Sequence, residues 1–121
     1  MFFTSIKVSP LIKETVVFKN GKKRLKIKFA IFAEDIIEEY TKNQEKLEKA
    51  EKLFKDTGKL KYSQDYGNAA VALIQTIFGE QNADEIFKFY EGRYIQMLAD
   101  IYPFIESKIL PKLQSPFKNI K

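Results

Sequence analysis

The stretch Tyr66–Gly79, with the sequence YGNAAVALIQTIFG, decides the fold of this chain. Its apolar residues recur at the i, i+3, i+4 and i+7 spacing of one helix face, namely at Tyr66, Ala69, Ala70, Leu73, Ile74 and Ile77. Val71 and Phe78 widen that face to most of the circumference, which a surface helix could not carry. We therefore predict that this helix is the central, most buried element. Gly79 is expected to end it in the left-handed conformation, which glycine adopts without a Cβ penalty.

Residues 1–32 have the pattern of β-strands. Val16–Lys19 and Lys22–Phe32 flank Asn20-Gly21, the favoured central pair of a two-residue type I′ turn. After the turn, apolar residues alternate with basic ones, so one face of the hairpin should be buried and the other exposed. This turn places Val16 opposite Leu25, on the face that also carries Phe18 and Ile27. Phe3 to Val8 is a candidate third strand, which Ser9-Pro10 would end.

Residues 33 to about 56 change to a helical period with a thin apolar stripe and many charges. Acidic residues crowd the first turns and lysines the last, which complements the helix dipole. Four Glu–Lys pairs have the favourable i,i+4 order, at Glu38–Lys42, Glu45–Lys49, Glu48–Lys52 and Glu51–Lys55. Asp56-Thr57-Gly58 should end this helix. We expect it to pack by one edge and to leave most of its surface in water.

The remaining chain predicts a cap, a short helix and a last helix. Gly58 to Tyr62 is expected to be a loop, with Ser63 or Asp65 capping the central helix. Asn82 to Glu85 has the form of a capping box that opens a short helix, which Gly92 ends. Tyr94 should begin the last helix, with a kink rather than a stop at Pro103. One domain, residues 1–121, would then contain a β part (1–32), a helical part (33–114) and a frayed basic tail (115–121).

Composition narrows the classes of function. The 121 residues carry a net charge of +5, and 45% of them are hydrophobic, as in a globular domain. No apolar run approaches the ~18 residues of a membrane span, and the first residues do not form a secretory signal. The absence of histidine and cysteine removes the commonest bases, nucleophiles and metal ligands. We therefore expect a cytoplasmic protein that is not an enzyme, with no catalytic, metal-binding or cofactor-binding residue and no cofactor.

Three groups of residues are candidate binding surfaces. The basic hairpin could follow a phosphate backbone, but a solvated sheet face is the preferred interpretation because no aromatic residue interleaves with the cations; its members are Lys19, Lys22, Lys23, Arg24, Lys26 and Lys28. An acidic cluster could hold a hard cation, but it lacks the spacing of a calcium loop, and its position at a helix N-terminus is the preferred explanation; it comprises Glu34, Asp35, Glu38 and Glu39. An aromatic group could form a partner surface or part of the core; it comprises Phe87, Phe89, Tyr90, Tyr94 and Tyr102.

The order of these elements resembles a family of small proteins from phages and prophages of low-GC Gram-positive bacteria, the phage tail assembly chaperone-like proteins. The likeness covers the layout of nearly the whole chain. It is carried by Val17–Gly21 with Lys26–Phe29, by Glu39-Tyr40 in the Glu/Lys helix, and by Phe78-Gly79-Glu80 followed by Glu85-Ile86-Phe87. Residues 1–12, Pro103 and the lysine-rich tail depart from the pattern.

The resemblance implies a non-enzymatic protein that binds the tape-measure or tail-tube protein during tail assembly in the bacterial host cytoplasm. It implies other phage tail proteins as partners, with self-association as a further option, and it assigns no partner-binding residue. Nucleic acid and membrane partners are not expected. The alternative is a basic nucleic-acid-binding accessory protein of a phage or mobile element. The expected fold class is α+β, with an N-terminal antiparallel β-hairpin, of two or three strands, packed on three to four α-helices.

Overall fold

The computed structural model describes residues 3–6 and 11–114. It confirms the predicted α+β class, because an antiparallel two-stranded hairpin is followed by helices. The elements are β1 (Leu11–Asn20), β2 (Lys23–Phe32), α1 (Ala33–Thr57), α2 (Leu60–Phe78), α3 (Glu80–Tyr90), α4 (Tyr94–Phe104), a π-helical segment (Ile105–Ile109) and α5 (Leu110–Gln114). The predicted basic tail, 115–121, lies outside the described residues.

The hairpin forms with a different turn from the predicted one. Asn20 pairs with Lys23, so Gly21 and Lys22 are the central turn residues, and Val16 lies opposite Ile27 rather than Leu25. Gly21 has φ +61°, whereas neither Asn20 nor Lys22 has a positive φ. This is the requirement of a type II′ turn, which needs a positive φ at its first central residue alone. The turn therefore uses glycine where a type I′ turn would have forced Asn20 into a positive φ.

The two faces of the hairpin are as predicted. Ile12, Phe18, Ile27 and Phe29 are buried on the inner face, and the alternate residues of both strands are exposed. Residues 3–6 are not part of a strand, so that portion of the candidate third strand is wrong. The rest of that candidate, with Ser9-Pro10, lies outside the described residues.

Helix α2 forms the centre of the core. Ala69, Ala70, Leu73, Ile74, Ile77 and Phe78 are all buried, as the apolar spacing predicts. The helix begins at Leu60, which is earlier than predicted, so neither Ser63 nor Asp65 is its cap. The loop after α1 is reduced to Gly58 and Lys59, and the Lys59 N–H donates to Thr57 Oγ1 at 3.2 Å.

Gly79 ends α2, but not in the left-handed helical conformation. Its φ of +85° and ψ of 159° lie in a region that is nearly exclusive to glycine. Its N–H donates to Gln75 O, and its carbonyl accepts the N–H of Ala83. One glycine therefore closes α2 and opens α3.

Helix α1 packs by one edge, as predicted, and its buried residues are Ala33, Ile36, Tyr40, Asn43, Leu47 and Ala50. Gly58 ends it in the left-handed conformation, with φ +66°. Of the four predicted Glu–Lys pairs, the described structure contains only Glu51–Lys55, at 2.7 Å. Exposed ion pairs of this kind add little stability, so the apolar edge is what holds α1 in place.

Asn82 does not cap α3, because the helix already begins at Glu80. Its side chain amide instead donates to two carbonyl groups, Lys28 O of β2 at 3.2 Å and Phe78 O of α2 at 3.1 Å. Asn82 therefore connects the hairpin, the central helix and α3, a role that differs from the predicted helix cap.

The last helical stretch begins at Tyr94, as predicted, and Pro103 does not stop it. The backbone stays helical through the π-helical segment, where Leu110 N–H donates to Ile105 O, and continues into α5. Its inward residues Leu98, Ile101, Ile105, Ile109 and Leu113 are buried. They belong to the same core cluster as the inner face of the hairpin and the buried half of α2.

Candidate functional site

The N-terminal half of α2 projects from the core as a ridge between two grooves. From Glu51 to Asn68 no residue is buried, so the end of α1 and the start of α2 pack mainly on each other. We call residues 60–68 the α2 ridge. Two surface grooves flank it, with volumes of about 600 and 620 Å³, and Asn68 lines both.

The first groove lies between α1 and α2. Its apolar lining includes Ala50, Ala69 and Ala72, whose small side chains allow a partner backbone to approach closely. Asn43, which is 6% exposed, also lines it, and its amide donates to Thr76 Oγ1 at 3.1 Å. Lys46 and Asp65 contribute the charges of the opposite walls. This groove therefore combines small apolar residues with polar edges.

The second groove lies between the ridge and the start of α4. Ser63, Gln64 and Gly67 line one side, and Arg93, Tyr94 and Ile95 line the other. Ile95 is 57% exposed and Tyr94 36% exposed. Leu60, 71% exposed, lies on the same helix face as Ser63, Gln64 and Gly67, because residues three, four and seven apart on a helix share a face. Large apolar side chains thus stand in water at this edge of the ridge.

The aromatic group predicted as a partner surface is mostly part of the core. Tyr90 is buried, and Phe89 lies 6.0 Å from Phe18 between ring centroids. Phe87 packs edge-to-face on Tyr94 at 5.7 Å. Tyr94 is the member that reaches the second groove. The other four pack on the core, Phe87, Phe89 and Tyr90 from α3 and Tyr102 from α4, so a partner surface stays a prediction for Tyr94.

A polar cluster joins α1 to α4. Gln44 Nε2 donates to the Tyr102 hydroxyl at 2.6 Å and to Glu48 Oε1 at 3.1 Å. Gln44 Oε1 is buried and has no hydrogen-bond partner among the described residues. Burial raises the pKa of Tyr102 and of the neighbouring Tyr66. Both hydroxyls therefore stay protonated near neutral pH, and the Tyr102 hydroxyl serves this cluster as a hydrogen-bond acceptor rather than as a base. A glutamine within a Glu/Lys helix carries no sequence signal for this contact.

The raised pKa values of two other tyrosines, Tyr40 and Tyr90, predict that the protein loses stability at alkaline pH. Burial, with the charges of Tyr102 and nearby glutamates, raises the pKa of Tyr40 to about 12. Burial and donation to Asp100 also raise the pKa of Tyr90. An unfolded tyrosine titrates near pH ~10, so above that pH the folded state holds protons that the unfolded state releases. The contribution of Tyr40 to the free energy of unfolding is therefore fully present below about pH 10 and is lost as the pH rises towards about 12.

Urea unfolding of the wild type and of Tyr40→Phe, at pH 8 and at pH 11, tests this expectation. The variant should lose less unfolding free energy than the wild type between the two values, because phenylalanine has no proton to release. Equal losses in the two proteins, or a Tyr40 tyrosinate signal near pH 10 in the folded protein, would contradict it.

The acidic cluster is spread over the exposed surface of the first turns of α1. Glu34, Asp35, Glu38 and Glu39 are all exposed. Within the described residues, no group of three or more acidic side chains converges as metal ligands would. The cluster therefore remains explained by its position at a helix N-terminus.

The basic residues of the hairpin divide between its two faces. Lys19, Arg24, Lys26 and Lys28 lie on the outer face, whereas Lys23 lies on the inner side and approaches Glu91 at 3.6 Å. Lys22 is in the turn. Four of the six hairpin cations therefore share the outer face, which the alternation of the sequence predicts.

Comparison with protein-family models, with curated proteins and with solved structures found no match for this chain. Within the described residues, none of the helices combines the length and the apolar character that a membrane crossing requires.

Proposed function

We propose that this protein is a non-catalytic binding module that holds a helical segment of a partner protein against the α2 ridge. The observation that carries the proposal is the position of these two grooves, one on each side of the α2 ridge. An amphipathic helix binds in this way when its apolar face lies in a groove and its polar face stays in water.

The lining of the grooves suits such a helix. Small residues form part of the first groove, and Leu60 and Ile95 offer exposed apolar contact at the edge of the second. Three cations, Lys46, Lys49 and Arg93, line the grooves with one carboxylate, Asp65. Opposite charges across an interface guide encounter and orientation, so the partner helix should carry acidic residues beside its apolar stripe.

The resemblance to phage tail assembly chaperone-like proteins supplies the kind of partner. A tape-measure or tail-tube protein exposes apolar segments before it is assembled, and a binding module with charged surroundings would keep those segments in solution. We therefore assign the protein to tail assembly in the cytoplasm of a bacterial host, with tail proteins as its partners.

The test is co-expression with the tape-measure and tail-tube proteins of the genome that encodes this chain. The wild type should keep one of them soluble and co-purify with it. Leu60→Ser combined with Ile95→Ser should reduce the co-purified amount at least about tenfold, since apolar anchors dominate such interfaces. Both residues are exposed, so the fold should remain.

A matched control changes two exposed apolar residues outside the ridge, Leu11→Ser with Val17→Ser on the hairpin. This control should retain the partner. The proposal fails if the wild type retains neither tail protein, or if the ridge variant retains as much as the control does.

A further inference from the structure

The outer face of the hairpin has no role in the proposed function, and it is strongly basic. Residues 11–32 contain seven cations and one carboxylate, so the hairpin alone carries more positive charge than the net +5 of the whole chain. Five of the ten outward positions of the two strands are cationic and none is acidic. These five are Lys13, Lys19, Arg24, Lys26 and Lys28, which we call the basic face.

No carboxylate of the described residues forms an ion pair with the basic face. Glu14 faces inward and pairs with Lys112, and Glu91 pairs with Lys23. Glu85 of α3 lines a surface groove together with Arg24 but makes no ion pair with it. Lys19 lies directly opposite Arg24, and like charges in that relation destabilise a sheet. The fold therefore carries a repulsion that a bound anion would relieve.

The spacing of the cations is regular. On one strand, outward residues two apart are separated by about 6.8 Å, and directly opposite residues of two strands by about 5 Å. The inner face holds the ribbon against the domain, since Phe18 packs on Phe89 and Tyr90 with ring centroids 6.0 Å away in each case. The charges are thus presented on a supported, exposed two-stranded ribbon.

The chemistry of the basic face points to a polyanion rather than to a protein. Lysine is depleted in the centre of protein interfaces, where aromatic residues are enriched. On the outer face, the large apolar residues Leu11 and Phe32 lie opposite each other at the end away from the turn, and Val17 stands alone among the cations. An evenly charged polymer matches this arrangement better than an apolar interface does.

In place of the solvated sheet face that the sequence alone favours, we propose that the basic face binds double-stranded DNA through its phosphate backbone. A single strand would need exposed aromatic residues on which its bases stack, and the basic part of this face has none. The major groove of B-DNA admits a two-stranded β-ribbon, so its cations can reach the phosphates on both sides, whereas that groove of double-stranded RNA is too narrow. Lysines that contact phosphates read no sequence, so the binding is independent of sequence.

Fluorescence anisotropy with a labelled 20-base-pair DNA duplex tests the proposal. About five phosphate contacts predict that affinity falls roughly 500-fold between 50 and 200 mM salt, because bound counterions are released. Lys19→Gln, Arg24→Gln and Lys26→Gln together should reduce the slope of log affinity against log salt by about 2.7 and weaken binding at least about tenfold at 100 mM salt.

The control removes the same charge from exposed lysines elsewhere, with Lys42→Gln, Lys52→Gln and Lys108→Gln. It should bind the duplex within about twofold of the wild type. The ridge variant of Leu60 and Ile95 should also bind normally, which separates this proposal from the proposed function.

Several results would overturn the DNA proposal. These are no binding at 50 mM salt, equal weakening by the two triple variants, or equal affinity for single-stranded DNA or double-stranded RNA. Equally tight binding of polyglutamate, or of vesicles containing phosphatidylserine, would show an unselective cation surface instead.

Discussion

Leu73→Ala should lower the free energy of unfolding by about 2–5 kcal/mol, the range measured for buried leucines in other cores. Leu73 has no exposed surface and lies in the middle of the buried half of α2. The truncation removes apolar contacts and leaves a cavity that the surrounding helices can close only in part. Such a loss is a large share of the roughly 5–15 kcal/mol that stabilises a typical domain.

Urea unfolding followed by circular dichroism measures this effect. Leu60→Ala, in the same helix, is the matched control, because Leu60 is exposed and its truncation should change stability by no more than about 0.5 kcal/mol. A loss below about 1 kcal/mol for Leu73→Ala, or equal losses for the two leucines, would show that α2 is not the centre of the core.

Gly79→Ala is expected to cost about 1–3 kcal/mol through the backbone alone. A Cβ at Gly79 would meet no atom within 4 Å, so no clash contributes. The cost comes from its φ of +85° and ψ of 159°, which alanine adopts only with strain. Since Gly79 joins α2 to α3, the strain would fall on the junction of two core helices.

Gly67→Ala is the control for Gly79→Ala, and it should have the opposite sign. Gly67 is inside α2, and a Cβ there would lie an ordinary 3.7 Å from Tyr94 Cδ2. Alanine exceeds glycine in helix propensity by about 0.8–1.0 kcal/mol, so this variant should gain up to that amount. If the unfolding midpoints of the two variants shifted in the same direction, the backbone explanation for Gly79 would be wrong.

The sequence predicts which residues are buried better than it predicts which residues of the two strands lie opposite each other. The apolar spacing from Ala69 to Phe78 identifies the core helix because burial imposes a period of 3.6 residues. The predicted buried and exposed faces of the hairpin are also correct, because burial of one strand face imposes a period of two residues. The predicted partner of Val16 is wrong. Moving its partner from Leu25 to Ile27 leaves every side chain on the same face, so alternation cannot distinguish the two registers.

The start of α2 could not be predicted from its own residues. The stretch from Leu60 to Asp65 is largely polar, and its helix packs against the end of α1 rather than into the core. The contact of Asn82 with the hairpin could not be predicted from local sequence either, because its hydrogen bond to Lys28 O joins residues far apart in the chain. The α2 ridge and its grooves arise from this tertiary packing, whereas the basic face follows directly from strand alternation.

Amide hydrogen exchange, read by mass spectrometry with and without a co-purified tail protein, tests the central claim that one half of α2 is core and the other half is a docking ridge. In the free protein, residues 69–78 should exchange most slowly and residues 60–68 faster, because local opening follows burial. Adding the partner should protect residues 60–68 and 92–96. Uniform protection along free α2, or a partner footprint that omits both of those segments, would contradict the account.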